Sequence, residues 1–414
     1  MLDTTVIYPT PPQSKTEESI EKLKKLIEKY EKDLIRNRRY LHQHPELGFD
    51  LDNTVRYVKE ELTAMGCEPK EIGNHGVTAV IGKREGRCIL LRADMDALPM
   101  KEESGLPFAC TSDSAAHTCG HDTHTAMLLT AARIFKELEE DLPGKVKFLF
   151  QPAEEIGYGC RDMVENGILE NPRVDAAFGE HIMSCFPKET VLYGTGSMST
   201  GADLFTITVH GKGGHGSVPH TTIDPINIAC HIVLNLQTVN SREVDAKEMA
   251  VLDFGSINAG SAGNAIPETA VLKGNIRTFN NDVRKQIKKR ISEIAEQTAA
   301  MFGGSARVEY SLEMAAVNTD ARVTELTGNE IKKHMDLEKV NDHTLKLPFS
   351  EDFSYISERV PSAFFLIGAC PEKGEVLTQH NPRIIFDEES MKTGVLVYVA
   401  GAVGYLKQGK EETI

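Results

Sequence analysis

Nowhere in these 414 residues do about 18 apolar positions run together, so no membrane-spanning helix is expected. The first 30 residues hold no apolar run either. They give a polar leader with prolines and then EESIEKLKKLIEKYEKDLIRNRRY, which predicts a charged amphipathic helix and no signal peptide. Clustered basic charge is missing: 46 Lys and Arg against 61 Asp and Glu leave a net charge of −15, which argues against a nucleic-acid partner. The eight cysteines (67, 88, 110, 119, 160, 185, 230 and 370) lack paired spacing. Reduced thiols and a cytoplasmic setting are therefore expected, not a disulfide framework. No repeat or low-complexity segment interrupts the chain. With 40% hydrophobic and 26% charged residues, the composition is that of a soluble enzyme large enough for two domains.

Against these absences stands one dense stretch, HTCGHDTH from His117 to His124, with one thiol, three imidazoles and a carboxylate. Thiolate and imidazole together suit zinc or a neighbouring first-row metal, and a carboxylate can ligate or orient a ring. No second Cys lies close to Cys119, so a closed structural zinc knot is not expected. An open, reactive metal site is.

The surrounding pattern is α/β. Short apolar strands (VTAVIG, CILLRAD, KVKFLF, DAAFGEH, SAFFLIGA) alternate with helices and predict a mixed-sheet α/β sandwich. Between residues 195 and 310 the order reads β-α-β-β-α-β, a ferredoxin-like arrangement, and the charges there balance at 11 against 11. The expected organisation is a catalytic domain of residues 1–194 and 311–414 with an inserted domain of residues 195–310.

Ligands in open α/β sheets bind beyond the carboxyl ends of strands, and the candidate residues fall there. CILLR runs into Asp94 and Asp96, VKFLF into Glu154 and Glu155, and AAFG into Glu180 and His181. Pro152 cannot extend a central strand, so Glu154 and Glu155 are expected on irregular backbone facing one cavity. Two adjacent carboxylates can divide labour, one ligating and the other moving a proton between water and a leaving amine.

Ten segments carry a resemblance to a known family: RRYLHQHPELGF, LLRADMDALPM, HTCGHDTHTA, QPAEE, GEHI, GKGGHGSVPH, GNAIPETA, GNIRTF, SEDFSYI and QHNPRIIFDEE, in that order from Arg38 onward. The chain resembles the zinc-peptidase and aminoacylase superfamily, peptidase family M20. It is most similar to the amidohydrolase branch, which contains hippurate hydrolases, N-acyl-L-amino acid amidohydrolases and auxin-conjugate hydrolases. The resemblance implies that Cys119, His121, Glu155, His181 and His380 hold one or two divalent metals (Zn, Mn, Co or Ni), with Glu154 as general base and acid. Asp96 would orient His121 or a neighbouring ligand. The wider superfamily has His-x-Asp where this chain has Asp94-x-Asp96, so a second metal site built the usual way does not follow.

In the inserted domain the resemblance implies that His215 reaches a partner subunit's active site and stabilises an oxyanion, while Asn264 and Arg277 hold a substrate carboxylate. A homodimer and a closing lid follow from it. The reaction implied is hydrolysis of an N-acyl amino acid. A carboxypeptidase or dipeptidase on the same site is the close alternative, and a non-catalytic binding homologue the distant one. His124 reads either as an early helix residue or as a support for a ligand, and His117 stays open. His42, His44, His75, His210, His231, His334 and His343 receive no role, nor do Ser350, Glu351 and Asp352.

Overall fold

The computed structural model describes residues 13–342, 345–372 and 374–408 of the chain; His343 lies outside them. The chain opens with helix α1 (Gln13–Gln43), which buries Leu23, Leu26, Ile27, Leu34 and Leu41 along one stripe. Helix α2 (Asp52–Ala64), strands β1 (Lys70–Ile72), β2 (Gly76–Ile81) and β3 (Cys88–Asp94), and helix α3 (His121–Glu137) follow. Next come β4 (Lys145–Gln151), β5 (Ala176–Met183) and β6 (Val191–Leu192). The middle of the chain supplies β7 (Gly201–His210), α4 (Pro225–Thr238), β8 (Ala250–Ala259), β9 (Thr269–Thr278), α5 (Asn281–Met301) and β10 (Ser305–Met314). Helix α6 (Ala321–Lys332), β11 (Val340–Asn341), β12 (Ser362–Gly368) and α7 (Met391–Gln408) complete it. Contacts divide the described residues into two compact units, one within Met1–Gly194, Asp320–His343 and Val360–Ile414, the other within Thr195–Thr319 and Thr344–Arg359.

The first unit is a mixed eight-stranded sheet ordered β1-β2-β4-β3-β5-β12-β6-β11. Its centre is parallel: β4, β3, β5 and β12 run the same way, and antiparallel pairs flank them. Strands β3, β5 and β12 are buried at every position, the signature of a parallel sheet covered on both faces. Helix α3 is buried over most of its length because α1, α7 and the sheet all pack on it. The parallel centre therefore presents several strand ends on one edge, next to the N-terminus of α3.

The second unit is a four-stranded antiparallel sheet ordered β8-β9-β7-β10 with α4 and α5 in β-α-β-β-α-β sequence. Helix α5 buries Val283, Ile287, Ile291, Ala295 and Ala299, one residue per turn, and Asn280 caps its first N–H groups. Asp203 on β7 is buried and accepts from Arg284 on α5, Nε to Oδ2 at 2.6 Å and Nη2 to Oδ1 at 2.7 Å. Arg284→Ala would leave that carboxylate with Lys288 Nζ at 3.7 Å as its nearest cation. The loss should be about 3 kcal/mol, since breaking a buried pair strands a charge. A denaturant midpoint equal to that of the unmodified protein would show that the pair does not stabilise this unit.

All eight cysteines are free thiols. Among the described residues, no helix is long and apolar enough to cross a membrane.

Candidate metal centre

Three local devices bring the site residues of the first unit together. Gly120 has φ +92° and starts α3; a Cβ there would lie 2.5 Å from Ile182 Cγ2, so only glycine lets the Cys119–His121 segment approach β5 this closely. After β4, Ala153 takes φ +55° and the chain turns through Glu154 and Glu155. Gly159 lets that turn close, because a Cβ there would collide with the Pro152 carbonyl oxygen. His380 also has positive φ (+67°), and its N–H bonds to the Thr118 carbonyl at 3.0 Å, tying it to the Cys119 segment. Left-handed backbone at non-glycine residues costs about 1–3 kcal/mol each and collects at functional sites.

The geometry brings all five expected ligands together. Ligating atoms of Cys119, His121 and His181 lie within 4.8 Å of one another, and so do those of Cys119, Glu155 and His380. Cys119 Sγ is 3.4 Å from His181 Nε2, His121 Nε2 is 3.7 Å from Glu155 Oε1, and His380 Nε2 is 3.4 Å from Glu155 Oε2. Glu154 Oε2 is 4.0 Å from His121 Nε2. His181 Nδ1 donates to the Ile182 carbonyl at 2.7 Å, which leaves its Nε2 lone pair facing Cys119. Asp96 braces the acidic turn, accepting from the Glu154 N–H at 3.0 Å and the Glu155 N–H at 3.2 Å, with Oδ1 3.5 Å from His121 Nδ1.

The electrostatics of these residues suit a divalent cation. Both ring nitrogens of His121 and Oε1 of Glu155 are buried without a hydrogen-bond partner among the described residues. Burial disfavours charge on His121, yet Asp94, Asp96 and Glu155 push its pKa up to about 10. Burial pushes Glu155 up to about 7 against the pull of His121, and burial with Glu155 and Glu154 holds the Cys119 thiol well above its usual range. Burial, reinforced by His124, keeps His181 neutral. A divalent cation would satisfy the orphaned atoms and displace these protons. Cation affinity of the metal-free protein should therefore climb between pH 6 and 8 by at least about tenfold per unit, with His121 and Cys119 giving up protons across the whole window and Glu155 adding to the slope only up to about pH 7. Calorimetric titration at three pH values checks this, and a flat affinity contradicts it.

Other expected positions resolve differently. Glu180 does not join His181 at the site: both lie inside β5, which continues to Met183, and neighbouring strand residues face opposite sides. Its carboxyl is buried without a partner among the described residues, and burial raises its pKa well above the carboxylate range. His117 is buried with both ring nitrogens unpartnered, and burial lowers its pKa to about 3. His42, given no role by sequence, is buried between Asp122 (2.8 Å) and Glu102 (3.0 Å), while Arg38 Nε lies 3.0 Å from Asp122. Only the fold reveals that network behind α3.

In the second unit, His215 pairs with Ala265 in a short ladder, and Gly216 N–H bonds to the Asn264 carbonyl at 2.9 Å, so His215 and Asn264 are neighbours. Both are exposed. Arg277 is not with them: it lies eight residues along β9 from Thr269, about 26 Å at the rise of a strand. There its Nη1 donates to Ser350 Oγ at 2.6 Å.

The sequence signature described as peptidase family M20/M25/M40 matches residues 90–402. The N-acetyl-L-cysteine deacetylase of Bacillus subtilis (strain 168) is 37% identical over 363 residues, which cover 87% of this chain and 85% of that protein. Thermostable carboxypeptidase 1 of Saccharolobus solfataricus is 34% identical over 393 residues, covering 93% and 98%. A Bacillus subtilis crystal structure, described as a dinuclear metal-binding peptidase from the M20 family, matches with a TM-score of 0.78 at 31% identity, covering 92% of this chain and 99% of that one.

Proposed function

The chain belongs to peptidase family M20/M25/M40, and on that premise we propose that this metal-dependent amide hydrolase cleaves N-acyl amino acids to a carboxylic acid and a free amino acid. The observation that carries the proposal is the acidic turn: Glu155 faces His121 and His380, while Glu154 stands beside them at 4.0 Å from His121. Cys119, His121, Glu155, His181 and His380 are the proposed ligands. Cys119 belongs to both the His121–His181 and the Glu155–His380 groups, so a shared thiolate would let five ligands serve two cations. A divalent cation supplies polarisation of the acyl carbonyl and a lower pKa for water at the site. Glu154 takes the proton from the attacking water and returns it to the departing nitrogen. Asp96 keeps the turn rigid while it does so, through the Glu154 and Glu155 N–H groups.

The second unit is proposed as a ferredoxin-like lid and dimerisation domain. Strand β8 lies at the edge of its sheet with Val251 and Ile257 exposed, and Leu234 is exposed on α4, features that suit pairing with a second copy. In that dimer His215 and Asn264 would serve the partner's substrate, which accounts for their distance along the sheet from Arg277. Arg277, a half-buried guanidinium, is the proposed grip on the substrate carboxylate.

A second reading, cleavage of peptides from the carboxyl end, draws on the similarity to the carboxypeptidase. The test is hydrolysis of N-acetyl, N-benzoyl and dipeptide substrates by metal-stripped protein with and without Zn²⁺, Mn²⁺, Co²⁺ or Ni²⁺. Metal-restored release of amino acid from the acyl conjugates supports the first reading. Turnover of dipeptides alone selects the second, and no turnover with any metal overturns both.

A further inference from the structure

Behind the five proposed ligands runs a buried chain of hydrogen bonds that none of the roles above uses. It starts at Arg92, whose Nε donates to Gln151 Oε1 at 2.8 Å and whose Nη1 donates to Asp94 Oδ2 at 2.8 Å. The other oxygen of Asp94 meets His124 Nδ1 at 2.6 Å, and the Asp94 carbonyl accepts from Thr125 Oγ1 at 2.7 Å. On the far side of the ring, His124 Nε2 receives the backbone N–H of Ile182 at 2.8 Å. Arg92, Asp94 and His124 are all buried.

The Ile182 N–H can only donate, so His124 Nε2 must carry a lone pair, and the ring proton sits on Nδ1 where Asp94 accepts it. Both nitrogens are then spent. Although Asp94, His121 and His124 offer atoms within 4.8 Å of one another, His124 has no lone pair left for a metal.

Ile182 is the point where this chain meets the site. Its carbonyl accepts from His181 Nδ1 at 2.7 Å and from Gln379 Nε2 at 2.8 Å, and its Cγ2 is what a Cβ on Gly120 would strike. One peptide segment thus touches His181, the residue before His380, and the glycine between Cys119 and His121.

We infer that His124 is a positioning residue, held by Asp94 as the Nδ1–H tautomer, which fixes the Ile182 backbone and through it the orientation of His181 and the loop bearing His380. Asp94, at the end of β3, is then the anchor of this chain and not a ligand. The inference rests on the metal-centre reading above. Outer partners of this kind typically change metal affinity by about 10–100-fold.

The experiment has two arms. In the unmodified, metal-free protein, long-range ¹H–¹⁵N spectra of the histidine rings, assigned by the loss of one ring system in His124→Gln, should show His124 with its proton on Nδ1. A proton on Nε2, or on both nitrogens, overturns the inference without any variant having to function. In the second arm, Zn²⁺ affinity is measured by chelator competition for the unmodified protein, His124→Leu and His124→Gln. The leucine variant should bind Zn²⁺ about 10–100-fold more weakly, while glutamine, whose amide offers both a donor and an acceptor, restores most of the loss. Thermal unfolding of the metal-free forms separates this from a purely structural role, which would lower the unfolding temperature and leave Zn²⁺ affinity of the folded protein alone. Unchanged Zn²⁺ affinity in His124→Leu, or a glutamine variant as weak as leucine, overturns the positioning role. Failure of the unmodified protein to bind Zn²⁺ overturns the metal-centre reading itself, and this inference with it.

Discussion

Glu154→Gln should lower kcat by about 10²–10⁴-fold, the usual contribution of a positioned general base, while leaving metal content and KM close to those of the unmodified enzyme. The amide keeps the size of the side chain and removes only its capacity to hold a proton. Its neighbour should behave in the opposite way. Glu155 lies 3.4 Å from His380 and 3.7 Å from His121, so Glu155→Gln removes a charged ligand and should lower metal affinity first, with turnover partly recovered at high metal concentration. Measuring kcat and bound metal for both variants separates the roles. Activity above a tenth of the unmodified enzyme in Glu154→Gln sinks the base assignment, and loss of metal from that variant with retention in Glu155→Gln would exchange the two glutamates.

The shared turn of the two glutamates was visible in the sequence because QPAEE is local: a proline ends the strand, and both carboxylates follow within three residues. HTCGHDTH was legible for the same reason, its donors lying within eight residues at the start of one helix. What the sequence could not convey depends on partners far along the chain. Strand alternation puts Glu180 and His181 on opposite faces, but GEHI shows that only once β5 is known to run on to Met183. The role of His124 needs the Ile182 backbone, 58 residues away. Residues 345–359 carry no composition mark, yet Phe349 bonds to Thr200 and Ser350 to Arg277, so they pack with the second unit. Local spacing reports chemistry well; which side chains are turned toward it is decided by register.

Cys119→Ala should have the largest effect on metal binding, because Cys119 alone is common to the His121–His181 and Glu155–His380 groups. Loss of one outer partner typically costs about 10–100-fold in affinity, so loss of a shared ligand should exceed about 100-fold. The thiol makes the claim spectroscopically specific. Without metal, burial and the surrounding carboxylates keep it protonated, so it becomes a thiolate only when a cation displaces the proton. Adding Co²⁺ to the metal-free protein should then produce a thiolate-to-cobalt charge-transfer band together with proton release, and Cys119→Ala should lose the band. Cys119→Ser should sit between the two in affinity and also lack the band, since a hydroxyl holds its proton more tightly than a thiol. A band that survives in the alanine variant would place the ligating sulfur elsewhere, and a normal metal content without it would mean that imidazole and carboxylate suffice.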